Sequence, residues 1–354
     1  MERVLITRRV AIGLLALAAG SLAAAACRPV PSAGVVAPAG SPAPVATPSP
    51  AALGGQPTGV SVALDWYPWS NHTGLYLARD GGYYAAEGLD VRIYVPANPE
   101  DVLKLVGSGK DTFGISYQTD VLLARGEAVP VKAIAALVQH PLNSVMTLRD
   151  SGIVRPKQLE GKKVGTPGVA SDDAYLAAML EKDGGDPKKV ETVDVGFDLV
   201  AALIGRKVDA VVGAYWVHES ILAEEKGFPV NVMKVEDWGV PDYYELVLVA
   251  SDSTINGSAD VVRRFLRATA KGYQDALRNH ANALDALVKA SPETDRPMET
   301  KGIELLAPLW LDAGGAFGTQ TPERWQRFAD WMKQKGLLKP EVNPADAFTT
   351  QFLG

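Results

Sequence analysis

From Val60 onward the chain alternates short runs rich in β-branched and aromatic residues with longer stretches whose apolar residues recur at three- and four-residue spacing. VSVALDW precedes a helical stretch from Gly74 to Glu87, LDVRIYV one from Pro99 to Ser108, and TFGISY one from Thr119 to Gly126; VKAIAALV and SVMTLR follow. A second round begins after Arg149: KKVGTPG, a helix over Asp172 to Lys182, VETVDV, a helix over Leu199 to Arg206, DAVVGAY, a helix over Val217 to Lys226, and VNVMKV. Strands that alternate with helices predict open α/β sheets, because a crossover helix is what joins neighbouring parallel strands. Two rounds predict two sheets.

After YYELVLVAS the strand pattern stops, and SADVVRRFLRATAKGYQDALRNH, ANALDALVKAS, ETKGIELLAPLWLD and TPERWQRFADWMKQKG read as helices. A last strand that re-enters the first sheet would carry these helices back to the first lobe. The pattern therefore predicts an α/β protein of two lobes, residues 59–148 with 250–354 and residues 149–249, with a ligand cleft between them and crossings near Arg149 and Leu248. Trp310, Trp325 and Trp331 fall on amphipathic helices and are expected in the core, and His140, before Pro141, at the hinge.

The first 58 residues follow a different rule. Met1 to Arg9 holds Arg3, Arg8 and Arg9, and the uncharged run VAIGLLALAAGSLAAAA ends at Cys27. Residues 1–26 read as an export signal, short and Ala-rich for a permanent membrane span and closed by small residues. Thr7-Arg8-Arg9 resembles part of a twin-arginine signal, and the export route stays open. Cys27 is the sole cysteine, so an internal disulfide is excluded, and its place after Ala24, Ala25 and Ala26 resembles a bacterial lipobox, although Ala24 stands where that motif usually has Leu. Residues 27–58 are rich in Pro and Ala, without charge from Pro29 to Leu64, and cannot form a core. The expectation is a diacylated Cys27 and a disordered tether that holds the folded part at the extracytoplasmic face of a cell membrane.

Hydrophobic residues at 47% of the chain suffice for a sizeable core. With the leader's Arg3, Arg8, Arg9 and Glu2 set aside, the net charge is near −8, which argues against nucleic acid as a partner. His72, His140, His218 and His280 lack the spacing of a zinc site, so no metal and no cofactor is expected. There is no G-x-S-x-G elbow, no P-loop and no G-x-G-x-x-G after a strand, which removes the usual hydrolase and nucleotide readings. The turn GTPGVASDD can offer backbone N–H groups but lacks the Lys of a nucleotide loop.

The stretch LDWYPWSNHTGLYLARDGGYYAAEGLDV, with DTFGISYQTDVLLARGEAVPVKAIAALVQH, KKVGTPG and GVPDYYELVLVAS, closely resembles exported binding proteins that deliver thiamine-pyrimidine precursors to ABC importers. The resemblance covers the chain after Val60. It implies a two-lobed periplasmic-binding-protein fold (type II), a monomer that performs no chemistry, a small vitamin or vitamin precursor as ligand, and an ABC permease with its ATPase as partners. The family also includes a riboflavin-binding component and a fungal enzyme that builds the pyrimidine from its own active-site histidine. That enzyme needs a cysteine-rich iron motif, which is absent here. Trp69 stands where the pyrimidine pattern commonly has Asn, and a large π-surface suits a wider ring. Riboflavin is on that ground placed slightly ahead of a formylaminopyrimidine- or hydroxymethylpyrimidine-type precursor. The rivals from other classes are a pyrimidine-synthesising enzyme that uses His72 and a flavin-carrying redox lipoprotein.

In open α/β sheets ligands lie beyond the carboxyl ends of strands. The first strand thus nominates Trp66, Tyr67, Trp69, Asn71 and His72, and the third nominates Tyr117 and Gln118. In the second round the nominees are Thr166 and Ser171 after KKV, and Tyr215, Trp216 and Glu219 after DAVVG. Asp242 and Tyr243 precede the last strand. Aromatics would sandwich the ring, and the amide, imidazole and carboxylates would read its edge.

Replacing Cys27 by Ser is expected to leave the domain folded and release it from the membrane fraction, since acyl chains supply about 0.8 kcal/mol per buried CH₂. A Cys27→Ser protein that stays membrane-bound in high salt would rule out the lipid anchor.

Overall fold

The structure is a computed structural model that describes residues 56–353. The signal segment, Cys27 and the tether up to residue 55 lie outside the described residues. Ten strands form two five-stranded sheets with helices packed against them. In the first, β1 (Thr58–Ala63), β2 (Leu89–Tyr94), β3 (Phe113–Ser116), β4 (Val131–Val138) and β10 (Leu246–Ser251) lie in the order β2-β1-β3-β10-β4. The second is β7-β6-β8-β5-β9, from β5 (Asn143–Leu148), β6 (Lys163–Thr166), β7 (Glu191–Asp194), β8 (Ala210–Tyr215) and β9 (Val230–Lys234).

Each sheet has a parallel half and a reversed strand. β1 runs parallel to β2 and β3, and β10 runs antiparallel to β3 and β4. In the other sheet β6 is parallel to β7 and β8, whereas β5 is antiparallel to β8 and β9. The expected return of the last strand to the first sheet is therefore observed. The crossings differ from expectation. SVMTLR, expected to close the first lobe, is an inner strand of the second sheet, so the chain crosses between Val138 and Asn143 and returns before Leu246. Sequence spacing fixes where a strand is; which sheet it joins depends on partners far away in the chain.

The stretch from Gly74 to Glu87 forms two helices, Thr73–Asp80 and Tyr83–Ala86, separated at Gly81 and Gly82. The C-terminal helices Ala259–Arg278, His280–Ala290, Arg296–Leu306 and Pro322–Gln334 follow the apolar spacing, and Trp310 and Trp325 are fully buried, with Trp331 partly so. β4 lies at an edge yet is almost wholly buried, because the chain's end covers it: Ala133 and Thr349 exchange backbone hydrogen bonds with Ala347 and Ala133, and Ala136 donates to Gly318. Covering an edge in this way removes an exposed template for strand pairing.

The helix Ala259–Arg278 crosses Thr73–Asp80 at two glycines. A Cβ on Gly272 would run into the Gly74 carbonyl and lie 2.8 Å from the Ala78 Cβ. At this crossing Tyr273 donates to the Asn71 carbonyl at 2.7 Å, which ties the long helix to the loop after β1. Gly272→Ala is expected to destabilise the protein by about 1–3 kcal/mol through overpacking. An unchanged melting temperature would show that the two helices can separate without cost.

Candidate functional site

The carboxyl ends of β1, β3, β6 and β8 meet where the lobes face each other, around a small cavity of about 20 Å³. Asp65, Trp66, Trp69 and Tyr117 line it from the first lobe. Asn143, Pro167, Ser171 and Asp172 line it from the second, together with Gly213, Tyr215 and Glu219. That space holds a water molecule or two, so a ligand enters only when the lobes part. Among the described residues no Lys or Arg lines it.

Asp65 is fixed from two sides. His72 donates from Nε2 to Asp65 Oδ1 at 3.0 Å, and Tyr117 donates its hydroxyl to Oδ2 at 3.3 Å. The Trp69 backbone N–H points at His72 Nδ1 at 3.4 Å, and since that N–H can only donate, the imidazole carries its proton on Nε2. His72 is thus a buried positioning residue behind Asp65 rather than part of the cavity wall. Burial, with Asp65 adding to it, raises the Tyr117 hydroxyl well above the usual phenol range, so it stays a donor.

On the opposite wall Asn143 donates to Asp172 Oδ1 at 2.6 Å and accepts from the Gly213 N–H at 3.3 Å. Gly213 has φ of +87°, and a Cβ there would come within 2.6 Å of Asp172 Oδ2, so glycine is what lets the carboxyl lie against β8. Burial pushes the Asp172 pKa well above the carboxylate range. Glu245 accepts from the backbone N–H groups of Leu142 and Asn143 and from the hydroxyls of Tyr215 and Tyr243. It thereby fixes the crossing segment to β8, and burial raises its pKa to about 7.

Trp69 is only 2% exposed, and its ring centroid lies 4.8 Å from His218 and 5.7 Å from Tyr215. His218 stands between two carboxylates, Nδ1 at 3.0 Å from Glu219 Oε1 and Nε2 at 3.1 Å from Glu299 Oε1. Glu299 comes from the helix Arg296–Leu306 and also accepts the Ser70 N–H at 2.7 Å, while Glu219 accepts the Tyr215 N–H at 2.8 Å. Burial works against the imidazolium, but the two carboxylates outweigh it and the His218 pKa is raised to about 10. Other contacts join the lobes at the rim: Trp66 and Tyr67 pack on Phe197 with centroids 4.6 and 4.5 Å away, and Lys301 pairs with Glu225 at 2.7 Å.

Of the residues nominated from sequence, Trp66, Trp69, Tyr117, Ser171, Tyr215 and Glu219 are brought together in the cavity wall. The others are elsewhere. Tyr67 is 52% exposed at the rim, and Asn71 is buried outside the wall with no hydrogen-bond partner for its amide among the described residues. Gln118 accepts the Tyr244 N–H at 2.7 Å, and Thr166 Oγ1 accepts the Gly168 N–H at 3.3 Å, so both hold turns. Trp216 donates to the Pro141 carbonyl and lies under the Lys234 ammonium. Tyr243 is buried between Tyr175 and Phe328. Asp242 is exposed near the crossing, 2.9 Å from His140 and 2.7 Å from Arg324.

The sequence reading also missed contributors. Asn143 opens an antiparallel strand, and its pairing with Tyr215 places it at the carboxyl end of β8, where a rule about strand ends does not look. Asp65, inside LDWYPW, was overlooked beside its aromatics, and His218 gains meaning only through Glu299, distant in sequence.

A family model described as NMT1/THI5 like matches residues 69–283. The chain belongs to the NMT1/THI5-like family. Every cavity residue except Asp65 and Trp66 lies in the matched segment. The chain is 38% identical to a formylaminopyrimidine-binding protein of Halalkalibacterium halodurans, over 82% of this chain and 89% of the relative. It is 29% identical to the riboflavin-binding protein RibY of Chloroflexus aurantiacus, with 84% and 87% covered. Identity to a 4-amino-5-hydroxymethyl-2-methylpyrimidine phosphate synthase, THI11 of Saccharomyces cerevisiae, is 27%, with 83% and 87% covered. In fold this NMT1/THI5-like chain matches the alkanesulfonate-binding protein SsuA from Xanthomonas axonopodis pv. citri with a TM-score of 0.68 at 14% identity, over 84% and 99% of the two chains. The two-lobed periplasmic-binding-protein fold read from the sequence is the fold observed.

Because His218 has a raised folded-state pKa, its stabilising contribution is complete below its ordinary value of about 6.5 and is lost as pH rises through about 10. The difference in melting temperature between the parent and His218→Gln should therefore shrink across that window. A difference independent of pH would show that His218 is not an imidazolium between its carboxylates.

Proposed function

We propose that this protein is the extracytoplasmic solute-binding component of an ABC importer, and that its ligand is an uncharged aminopyrimidine of the formylaminopyrimidine type. One observation supports this reading most: a cleft between two lobes, walled by Trp66, Trp69, Tyr117 and Tyr215, into which Asp65, Asp172 and Glu219 bring carboxyl groups and no Lys or Arg of the described residues enters. Carboxylates accept from ring amino groups, and an acidic wall disfavours a phosphorylated ligand. The relative at 38% identity points the same way.

Riboflavin becomes the second reading. Its ground was an open stacking face on Trp69, and protein rings from Tyr215, His218 and His72 pack around that indole. A catalytic role for His72 finds no support in the geometry, since the imidazole lies behind Asp65. Lipid anchoring through Cys27, the permease and its ATPase complete the proposal.

Calorimetry with N-formyl-4-amino-5-aminomethyl-2-methylpyrimidine is expected to show saturable one-site binding. Asp65→Asn should weaken it by about 1.5–3 kcal/mol, the value of a hydrogen bond to a charged group. If neither this compound nor riboflavin raises the melting temperature at saturation, the reading as a carrier of such heterocycles is wrong.

A further inference from the structure

Asp65 and Tyr117 form a partition with space on both sides. Behind the cavity already described, away from the second lobe's carboxyl groups, lies a larger space of about 280 Å³. Val102, Leu103, Leu123, Ala124 and Val129 of the first lobe give it apolar walls, and Val169 reaches it from the second lobe. The partition is weak, because 3.3 Å from the Tyr117 hydroxyl to Asp65 is long for an O–H···O hydrogen bond, roughly 2.5–3.0 Å.

The charge in this second space has one sign at the inner end. Asp65 and Asp120 stand there, and Asp120 Oδ1 is buried without a hydrogen-bond partner. Glu100, Lys104 and Glu127 also line the space, Glu127 paired with Lys339 at 2.8 Å and Lys104 3.6 Å from Asp101. Burial raises the Asp120 pKa to about 7, with Ser171 acting in the opposite sense. A cation placed against Asp120 would favour its ionised form.

We propose that this space is a second compartment of the ligand site, and that it takes a positively charged aromatic ring attached to the aminopyrimidine. The inference rests on the aminopyrimidine reading above and extends it from one ring to two. Apolar walls favour a planar ring over a polar chain, and a buried acceptor at the junction favours a cation over a neutral group. The first ring would lie between the carboxyl groups with the lobes parted, and the linker would pass the Tyr117 hydroxyl.

Thiamine, an aminopyrimidine joined to a cationic thiazolium, is a suitable probe, with the uncharged N-formyl-4-amino-5-aminomethyl-2-methylpyrimidine as the single-ring control. Calorimetry should show both binding to the parent protein. Ala124→Trp, which fills the second compartment, should weaken thiamine at least tenfold and change the control by less than twofold; retained control binding shows that the variant is folded. Leu103→Trp fills the same space from another helix and serves if the first variant does not fold. Failure of thiamine to bind while the control binds overturns the second compartment, as do equal losses for both ligands or no loss for either. Failure of both ligands on the parent overturns the aminopyrimidine reading and the compartment with it.

Discussion

Closing two lobes over an acidic cleft brings Glu219 of one against Glu299 of the other, in a region from which most water is excluded. Two carboxylates in that position repel, and each loses hydration worth several kcal/mol. The His218 imidazolium answers both at 3.0 and 3.1 Å, while backbone N–H groups of Tyr215 and Ser70 take up remaining acceptor capacity. The arrangement lies directly against Trp69, so the same contact that joins the lobes also sets the indole at the cavity wall. A buried ion triad of this kind is weak evidence for net stability; here it is one of the contacts that tie the two lobes together.

The rest of the site follows from strand direction. Parallel strands deliver their carboxyl ends to one edge of each sheet, and the loops after them supply Asp65, Tyr117 and Pro167. The reversed strand in each sheet then brings a segment to that edge from the other direction: Asn143 at the start of β5, and Glu245 just before β10. Glu245 fastens the crossing chain to β8 by four hydrogen bonds, which makes the connection between the lobes part of the site's support. Asp65 is held in the same indirect way, by a histidine that the cavity does not reach.

On the proposed reading, the carboxyl groups would accept from donors on a flat ring and the aromatic walls would hold its faces. That combination bears on the choice between the ligands named for the relatives, because a pyrimidine bearing amino groups presents donors to the carboxyl groups on a ring small enough to lie between them. Within the NMT1/THI5-like family the histidine after β1 could have been a reactive group, and its hydrogen bonds to Asp65 and Trp69 assign it a positioning task here. The partition formed by Asp65 and Tyr117 adds a question of ligand length to that of ring chemistry.

Periodicity and strand-forming runs were enough to determine the two sheets, the alternation of strands with helices, the late run of helices, and the burial of Trp310 and Trp325. These are local properties: apolar spacing of two or of three and four decides an element wherever it lies. Six of the nominated site residues line the cavity because the ends of parallel strands are also legible from local pattern. Only the tertiary structure decided that SVMTLR belongs to the second sheet, that Asn71 and His72 turn away from the cavity, and that His218 is charged between Glu219 and Glu299. Each of those outcomes depends on a partner between seven and more than two hundred residues away, such as Asp65 for His72, Tyr273 for the Asn71 carbonyl and Glu299 for His218. Chain spacing carries no signal for pairings of that kind, since they are selected by the burial of charge after the lobes have met.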